Sequence, residues 1–117
     1  MRTIDQQLKK GVLDILILSL LHHNGKMYGY EIIQVLKDMS HDYYALKEGS
    51  LYPVLYRLED RGFIQHEIIY VETKRTIPRK YYSMTGSGLL TLSKYQQAWK
   101  DFVHATSSII DKMEVKK

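Results

Sequence analysis

A chain of 117 residues can enclose one compact core and not two, so a single domain is expected. The 44% hydrophobic and 26% charged composition is that of an ordered globular chain, and the absence of cysteine excludes disulfides, thiolate nucleophiles and Cys-based zinc sites. A formal charge of +4 favours an anionic partner without identifying one.

Met1-Arg2-Thr3 leads into polar residues, so no signal peptide is expected. The most apolar run, Val12 to Leu21, contains Asp14 and Ser19 and falls short of the roughly 20 residues that cross a bilayer. It reads as a buried helix of a cytoplasmic protein that has no membrane contact.

Ile4 to His23 is predicted as one helix, with Leu8, Val12, Ile15, Leu16, Ser19 and Leu20 forming a buried stripe. Leu13, Ile17, Leu18 and Leu21 fall on other sides, which implies cover on more than one side, and a second subunit could supply it. After the Asn24-Gly25-Lys26 turn, Tyr28 to Met39 forms the second helix, and Gly29 on its apolar face permits close approach of a neighbouring backbone. Ser40-His41-Asp42 ends it.

Glu48 to Arg61 forms the third helix, with Leu51, Val54, Leu55 and Leu58 inward and Gly62 as its stop. Pro53 lies just past the first turn, so an irregular start is expected there. Phe63 to Val71 and Lys80 to Met84 read as strands joined by a charged loop, Glu72 to Arg79, with Pro78 at an edge or tip. Thr85 fits the N-cap of a long helix reaching Met113, along which Leu92, Tyr95, Trp99, Phe102, Thr106, Ile109 and Met113 alternate spacings of three and four. That spacing is a dimerisation seam.

Three helices followed by a hairpin give a mainly α fold with a small β-hairpin, an α+β winged helix-turn-helix. Residues 1–84 form the DNA-binding unit and residues 85–117 the C-terminal dimerisation helix of the same compact body. With the third helix's apolar stripe inward, Gly49, Pro53, Tyr56 and Asp60 point outward, flanked by Ser50, Tyr52 and Arg57. Ser50 lies near free helix-start amides that favour phosphate, Tyr52 and Tyr56 offer flat surfaces with polar tips, and Arg57 has the fork that matches phosphate or guanine. The bland alternative has Ser50 capping the helix, Tyr52 packing on the core and Arg57 paired with Glu59, Asp60 or Asp38.

Lys47 to Arg61 holds three basic and three acidic residues, so attraction to DNA must come from elsewhere. Lys74, Arg75, Arg79 and Lys80 outnumber Glu72 in the hairpin and suit phosphates beside a minor groove, with Lys9 and Lys10 as a second grip. Tyr95, Trp99 and Phe102, paired with a second copy, make either a slot for a planar ligand or dry packing. His22, His23, His41, His66 and His104 have no metal-site spacing, and Gly86-Ser87-Gly88 lacks the context of a nucleophile elbow, so neither a cofactor nor an enzyme is expected.

Four segments together resemble the PadR-type transcriptional regulators, in the short subfamily with a single C-terminal helix. They are Leu8-Lys9-Lys10-Gly11-Val12-Leu13-Asp14, Tyr28-Gly29-Tyr30-Glu31-Ile32, Gly49-Ser50-Leu51-Tyr52-Pro53-Val54-Leu55-Tyr56-Arg57-Leu58-Glu59 and Arg79-Lys80-Tyr81-Tyr82-Ser83-Met84-Thr85. The resemblance implies a bacterial repressor, homodimeric through its first and last helices. Its recognition helices would sit in successive major grooves of a pseudo-palindromic double-stranded operator, with wings in adjacent minor grooves. It assigns DNA contact to Tyr28 as well as to the cations above, and an interface or ligand role to Leu8, Val12 and Ile15 facing Tyr95, Trp99, Phe102 and Thr106. Such regulators sense phenolic acids or cationic, drug-like aromatic compounds, and Trp99 matches the aromatic that lines the central pore of drug-sensing members. The wing departs from the family pattern: Arg75-Thr76-Ile77-Pro78 stands where a glycine-arginine start is usual. The other readings open to the sequence are a winged-helix protein-interaction module and a constitutive DNA binder without an effector.

Overall fold

A computed structural model describes residues 3–115; Met1-Arg2, on which the leader reading rests, and the last two lysines lie outside it. Thr3 opens helix α1 (Ile4–Lys10) with a reciprocal cap: its hydroxyl accepts from the Gln6 amide at 3.2 Å, and its own amide donates to Gln6 Oε1 at 3.0 Å. The single helix expected from Ile4 to His23 is in fact two. The Val12 amide turns back to the Lys9 carbonyl at 3.2 Å, and α2 (Leu13–Asn24) restarts the ladder. Glycine followed by a β-branched residue makes this a weak point in any helix.

The buried face of α2 is also not the expected one. Leu13, Ile17, Leu18, Leu20 and Leu21 enter the core, whereas Leu8 is exposed and Val12, Ile15, Leu16 and Ser19 are only partly covered. A helix apolar all round gives periodicity no means of choosing a side.

Met27–Tyr28 forms a short strand, β1, that the sequence did not suggest; Tyr28 therefore caps helix α3 (Gly29–Met39) rather than joining it, its amide donating to Glu31 Oε1 at 3.1 Å. The close neighbour of Gly29 is a side chain and not a backbone: a Cβ there would lie 2.6 Å from the Tyr52 hydroxyl. His41 and Asp42, both with positive φ, end α3 where a break was expected.

Helix α4 (Glu48–Asp60) is regular from its first residue, so the irregular start expected at Pro53 is absent. The carbonyl that loses its partner belongs to Gly49, on the exposed face, where water can serve it. Gly62, at φ 79°, supplies the left-handed stop.

Strands β2 (Ile64–Glu72) and β3 (Thr76–Met84) extend further than the sequence implied, reducing the charged loop to Thr73-Lys74-Arg75. β3 is central in the order β1-β3-β2, but β1 reaches only Tyr81 and Tyr82. Pro78, opposite Tyr70, thus has an open outer edge and its missing amide costs no ladder bond on that side.

Thr85 caps helix α5 (Gly86–Ile110) as expected, accepting from the Gly88 amide at 3.0 Å and donating to the Gly62 carbonyl at 2.6 Å. The last turn, Asp111–Met113, tightens to 3₁₀ geometry. α5 packs along α2 but buries only Gly88 and Leu92, and its far half projects to give a body 59 Å long.

Candidate nucleic-acid interface and adjoining hollow

Burial of Leu51, Val54, Leu55 and Leu58 fixes which side of α4 meets solvent. Gly49, Ser50, Pro53, Tyr56, Arg57 and Asp60 are exposed, as the helical spacing required. Tyr52 is not: it turns toward Gly29, and burial, with Glu48 and Tyr56 adding to it, pushes its hydroxyl pKa up. Arg57 is ion-paired, but with Asp14 of α2 rather than with Glu59, Asp60 or Asp38. The guanidinium therefore ties α4 to α2 and keeps only part of its donor capacity for another partner.

The start of α4 faces α1 across a groove of about 770 Å³, lined by Lys9, Lys10, Lys47, Ser50, Pro53 and Arg57 among others. No side chain caps the first turn of α4, and the Ser50 amide donates to the Lys47 carbonyl at 3.0 Å.

Alternation along β3 sends the two wing cations to opposite faces. Lys80 is exposed and shares a face with Tyr82, its ammonium 5.8 Å from the Tyr56 ring centre. Arg79 is half-buried on the other face, 4.5 Å from the ring of Tyr28, which itself meets Tyr81 edge-on at 5.4 Å. Lys74 and Arg75 occupy the exposed tip. The wing thus presents three solvated cations and one held by aromatic packing.

The wing's root is fastened to α4. Nδ1 of His66 on β2 contacts Oε2 of Glu59 on α4, and Tyr82 of β3 is wholly buried beside them. The Tyr82 hydroxyl has no hydrogen-bond partner among the described residues. Burial, then the nearby Glu59, Tyr52 and Tyr56, pushes its pKa up to about 12.

Around the corner from the basic groove lies a second hollow of about 750 Å³. Leu8, Val12, Ile15, Trp99 and Phe102 all line it, so five of the seven residues expected to form the interface or ligand site converge. Tyr95 instead packs back onto the core, and Thr106 lies two turns beyond Trp99. Trp99 and Phe102 stack with centroids 6.1 Å apart. Tyr43 and Tyr44 complete the aromatic wall; they follow the break after α3, and only tertiary packing brings them here. In the isolated chain Trp99 is 44% exposed, Phe102 56% and Ile109 60%, a long apolar strip with nothing over it.

Helices α2 to α4 with the β2–β3 hairpin form a winged helix-turn-helix, a fold common among DNA-binding regulators. Comparison with known proteins agrees. The family model described as "Transcriptional regulator PadR-like family" matches residues 17–94. A transcriptional regulator from Clostridium thermocellum superposes with TM-score 0.75 at 33% identity, over 91% of this chain and 96% of that one. The negative transcriptional regulator PadR of Bacillus subtilis is 35% identical over 66% of this chain, a match spanning 41% of that longer protein. Its crystal structure in complex with operator DNA superposes with TM-score 0.63 and 33% identity, over 73% of this chain and 46% of that one. The chain belongs to the PadR-like family of transcriptional regulators, which are not enzymes. Among the described residues no helix is long and apolar enough to cross a membrane.

Proposed function

We propose that this regulator is a homodimeric, operator-binding repressor that a small aromatic molecule releases from DNA by entering the dimer interface. In this reading residues 1–84 carry the DNA contacts, residues 85–117 join two copies, and the protein acts in the cytoplasm, where the chromosome is. The observation that carries it is a division of the surface. Cations gather at the α1–α4 groove and the wing tip, while the apolar seam of α5 lies uncovered on another side. The first suits a polyanion, and the second suits an identical helix related by a two-fold axis. The operator complex of the Bacillus subtilis relative supports the first half. Lys10, Ser50, Tyr56, Lys74, Arg75 and Lys80 are the side chains free to meet DNA; Tyr28, Tyr52 and Arg79 support them from behind.

A mobility-shift titration against DNA upstream of the chain's own gene tests this at several salt concentrations. Lys74→Ala and Arg75→Ala each lower the salt slope by about 0.9 for every phosphate they cease to neutralise, while Arg79→Ala changes it less. Hydrodynamic sizing at micromolar concentration should give twice the 13.8 kDa chain mass. Unchanged slopes in both tip variants would reject the wing assignment, and a monomer would reject the paired reading heads.

A further inference from the structure

The two faces of the wing are finished differently. On the side away from α4, Ile69, Val71, Ile77 and Arg79 are each partly covered, and Arg79 lies over the ring of Tyr28. On the side toward α4 the cross-strand pairs His66–Tyr82, Ile68–Lys80 and Tyr70–Pro78 follow one another outward along the hairpin. The first pair is packed against α4. Beyond it the strands lie open: Ile68 is 53% exposed and Tyr70 67%, with the Pro78 ring exposed beside them. Exposed Tyr56 of α4 forms the second wall of this corner, and the Lys80 ammonium stands between the walls, 5.8 Å from the Tyr56 ring centre.

Adjoining apolar side chains left in water mark a contact surface, and the charge around this one is positive. Of the neighbouring acids Glu59 is engaged by His66, which leaves Lys74, Arg75 and Lys80 against Asp60 and Glu72. A sugar–phosphate strand matches that pattern, because it alternates an anion with a ring that has an apolar face. It is also the part of a duplex that runs between a major groove holding a reading helix and a minor groove holding a wing. Sugars met from the minor-groove side show the position that carries a 2′-hydroxyl in RNA. The side chains of Ile68 and Pro78 have no hydrogen-bonding atom and Pro78 has no amide, so a hydroxyl pressed against them would lose water and gain no partner.

We propose that this corner selects deoxyribose: Lys80 takes one phosphate of the strand between the grooves, while Ile68, Tyr70 and Pro78 close on the adjoining sugar and reject a 2′-hydroxyl. The proposal rests on the operator-binding reading and adds to it a preference for DNA over RNA that is set at one sugar, independently of groove shape and of base sequence.

Mobility shifts with the full chain test this on operator duplexes that carry a single ribonucleotide at each position in turn. A matching set carries 2′-fluoro-deoxyribose, which shares the pucker of ribose but donates no hydrogen bond. At one position for each bound chain the ribonucleotide should weaken binding about tenfold and the fluoro sugar hardly at all, the effect of one hydroxyl buried without a partner. Ile68→Asn and Pro78→Ser, which supply hydrogen-bonding groups at exposed positions, should bind the all-deoxy operator and shrink that loss. Tyr70→Asp sets a carboxylate against the strand and should weaken the all-deoxy operator about tenfold while keeping the circular dichroism of the wild type. A scan with no sensitive position, equal losses from ribose and the fluoro sugar, or a loss unchanged in both Ile68→Asn and Pro78→Ser would overturn the sugar selection. Undiminished binding by Tyr70→Asp would assign the patch to a protein partner and overturn it as well. A wild-type chain that binds no duplex would overturn the operator-binding reading and this proposal with it, whereas tight binding that tolerates ribonucleotides everywhere would strike the proposal alone.

Discussion

Arg57 on the exposed face of α4 is ion-paired with Asp14 of α2, 43 positions earlier in the chain. The Asp14 side chain is only 17% exposed, so the pair is half-sheltered and its partner cannot be removed without leaving a carboxylate poorly solvated. Arg57→Ala is expected to cost about 1 kcal/mol of stability, a modest figure because the guanidinium side remains open to water. It is also expected to weaken operator binding without changing base preference. Selection of binding sites from a randomised duplex checks this: altered preference at one base pair would make Arg57 a reader of guanine and not a brace.

Tyr82 carries a buried hydroxyl that bonds to nothing among the described residues. Tyr82→Phe is therefore expected to be neutral or to stabilise the fold by about 1 kcal/mol, the opposite of a usual core truncation. The pH dependence follows from the raised pKa. The unfolded chain loses this proton near pH 10 and the folded chain near 12, so the contribution is intact below 10 and is lost as pH rises between the two. Urea unfolding at pH 9 and pH 11 should show the decline in the wild type and a smaller one in Tyr82→Phe; identical declines would place the alkaline transition on another tyrosine.

Gly88 and Gly86 begin the same helix and should respond oppositely to alanine. A Cβ at Gly88 would run into the Phe63 carbonyl, a backbone atom that cannot step aside, whereas one at Gly86 would meet nothing within 4 Å. Gly88→Ala is expected to cost about 2 kcal/mol or more, and Gly86→Ala to stabilise slightly through helix propensity. Denaturant midpoints decide between this and a uniform effect.

Elements set by local chemistry were legible in the sequence. Helix α4 announced itself through Leu51, Val54, Leu55 and Leu58 and the stop at Gly62; the break at Ser40-His41-Asp42 and the Thr85 cap followed from turn and cap preferences. The interruption at Gly11-Val12 was hidden because a two-residue turn leaves the spacing of apolar residues nearly intact. β1 was invisible for a different reason: Met27 and Tyr28 are a strand only because Tyr82 and Tyr81 lie alongside.

The candidate sites divide in the same way. Spacing along α5 assembled Trp99 with Phe102, and the hairpin's composition located Lys74 and Arg75. The links that decide which cations are free are tertiary: Arg57 to Asp14, Arg79 to Tyr28, and Lys9 to Tyr43. Each joins elements distant in sequence, and no periodicity encodes them.

Thr85 and Phe63 leave the stalk no slack. One threonine hydroxyl is bonded both to Gly62, the stop of α4, and to the first turn of α5, while the Thr85 amide is bonded to the Phe63 carbonyl at 3.1 Å. In the proposed dimer, a swivel of α5 against a second copy would accordingly not be lost in a flexible joint. It would arrive at α4 as a tilt, and across a body 59 Å long a few degrees at the lever would become a displacement comparable to a base-pair step.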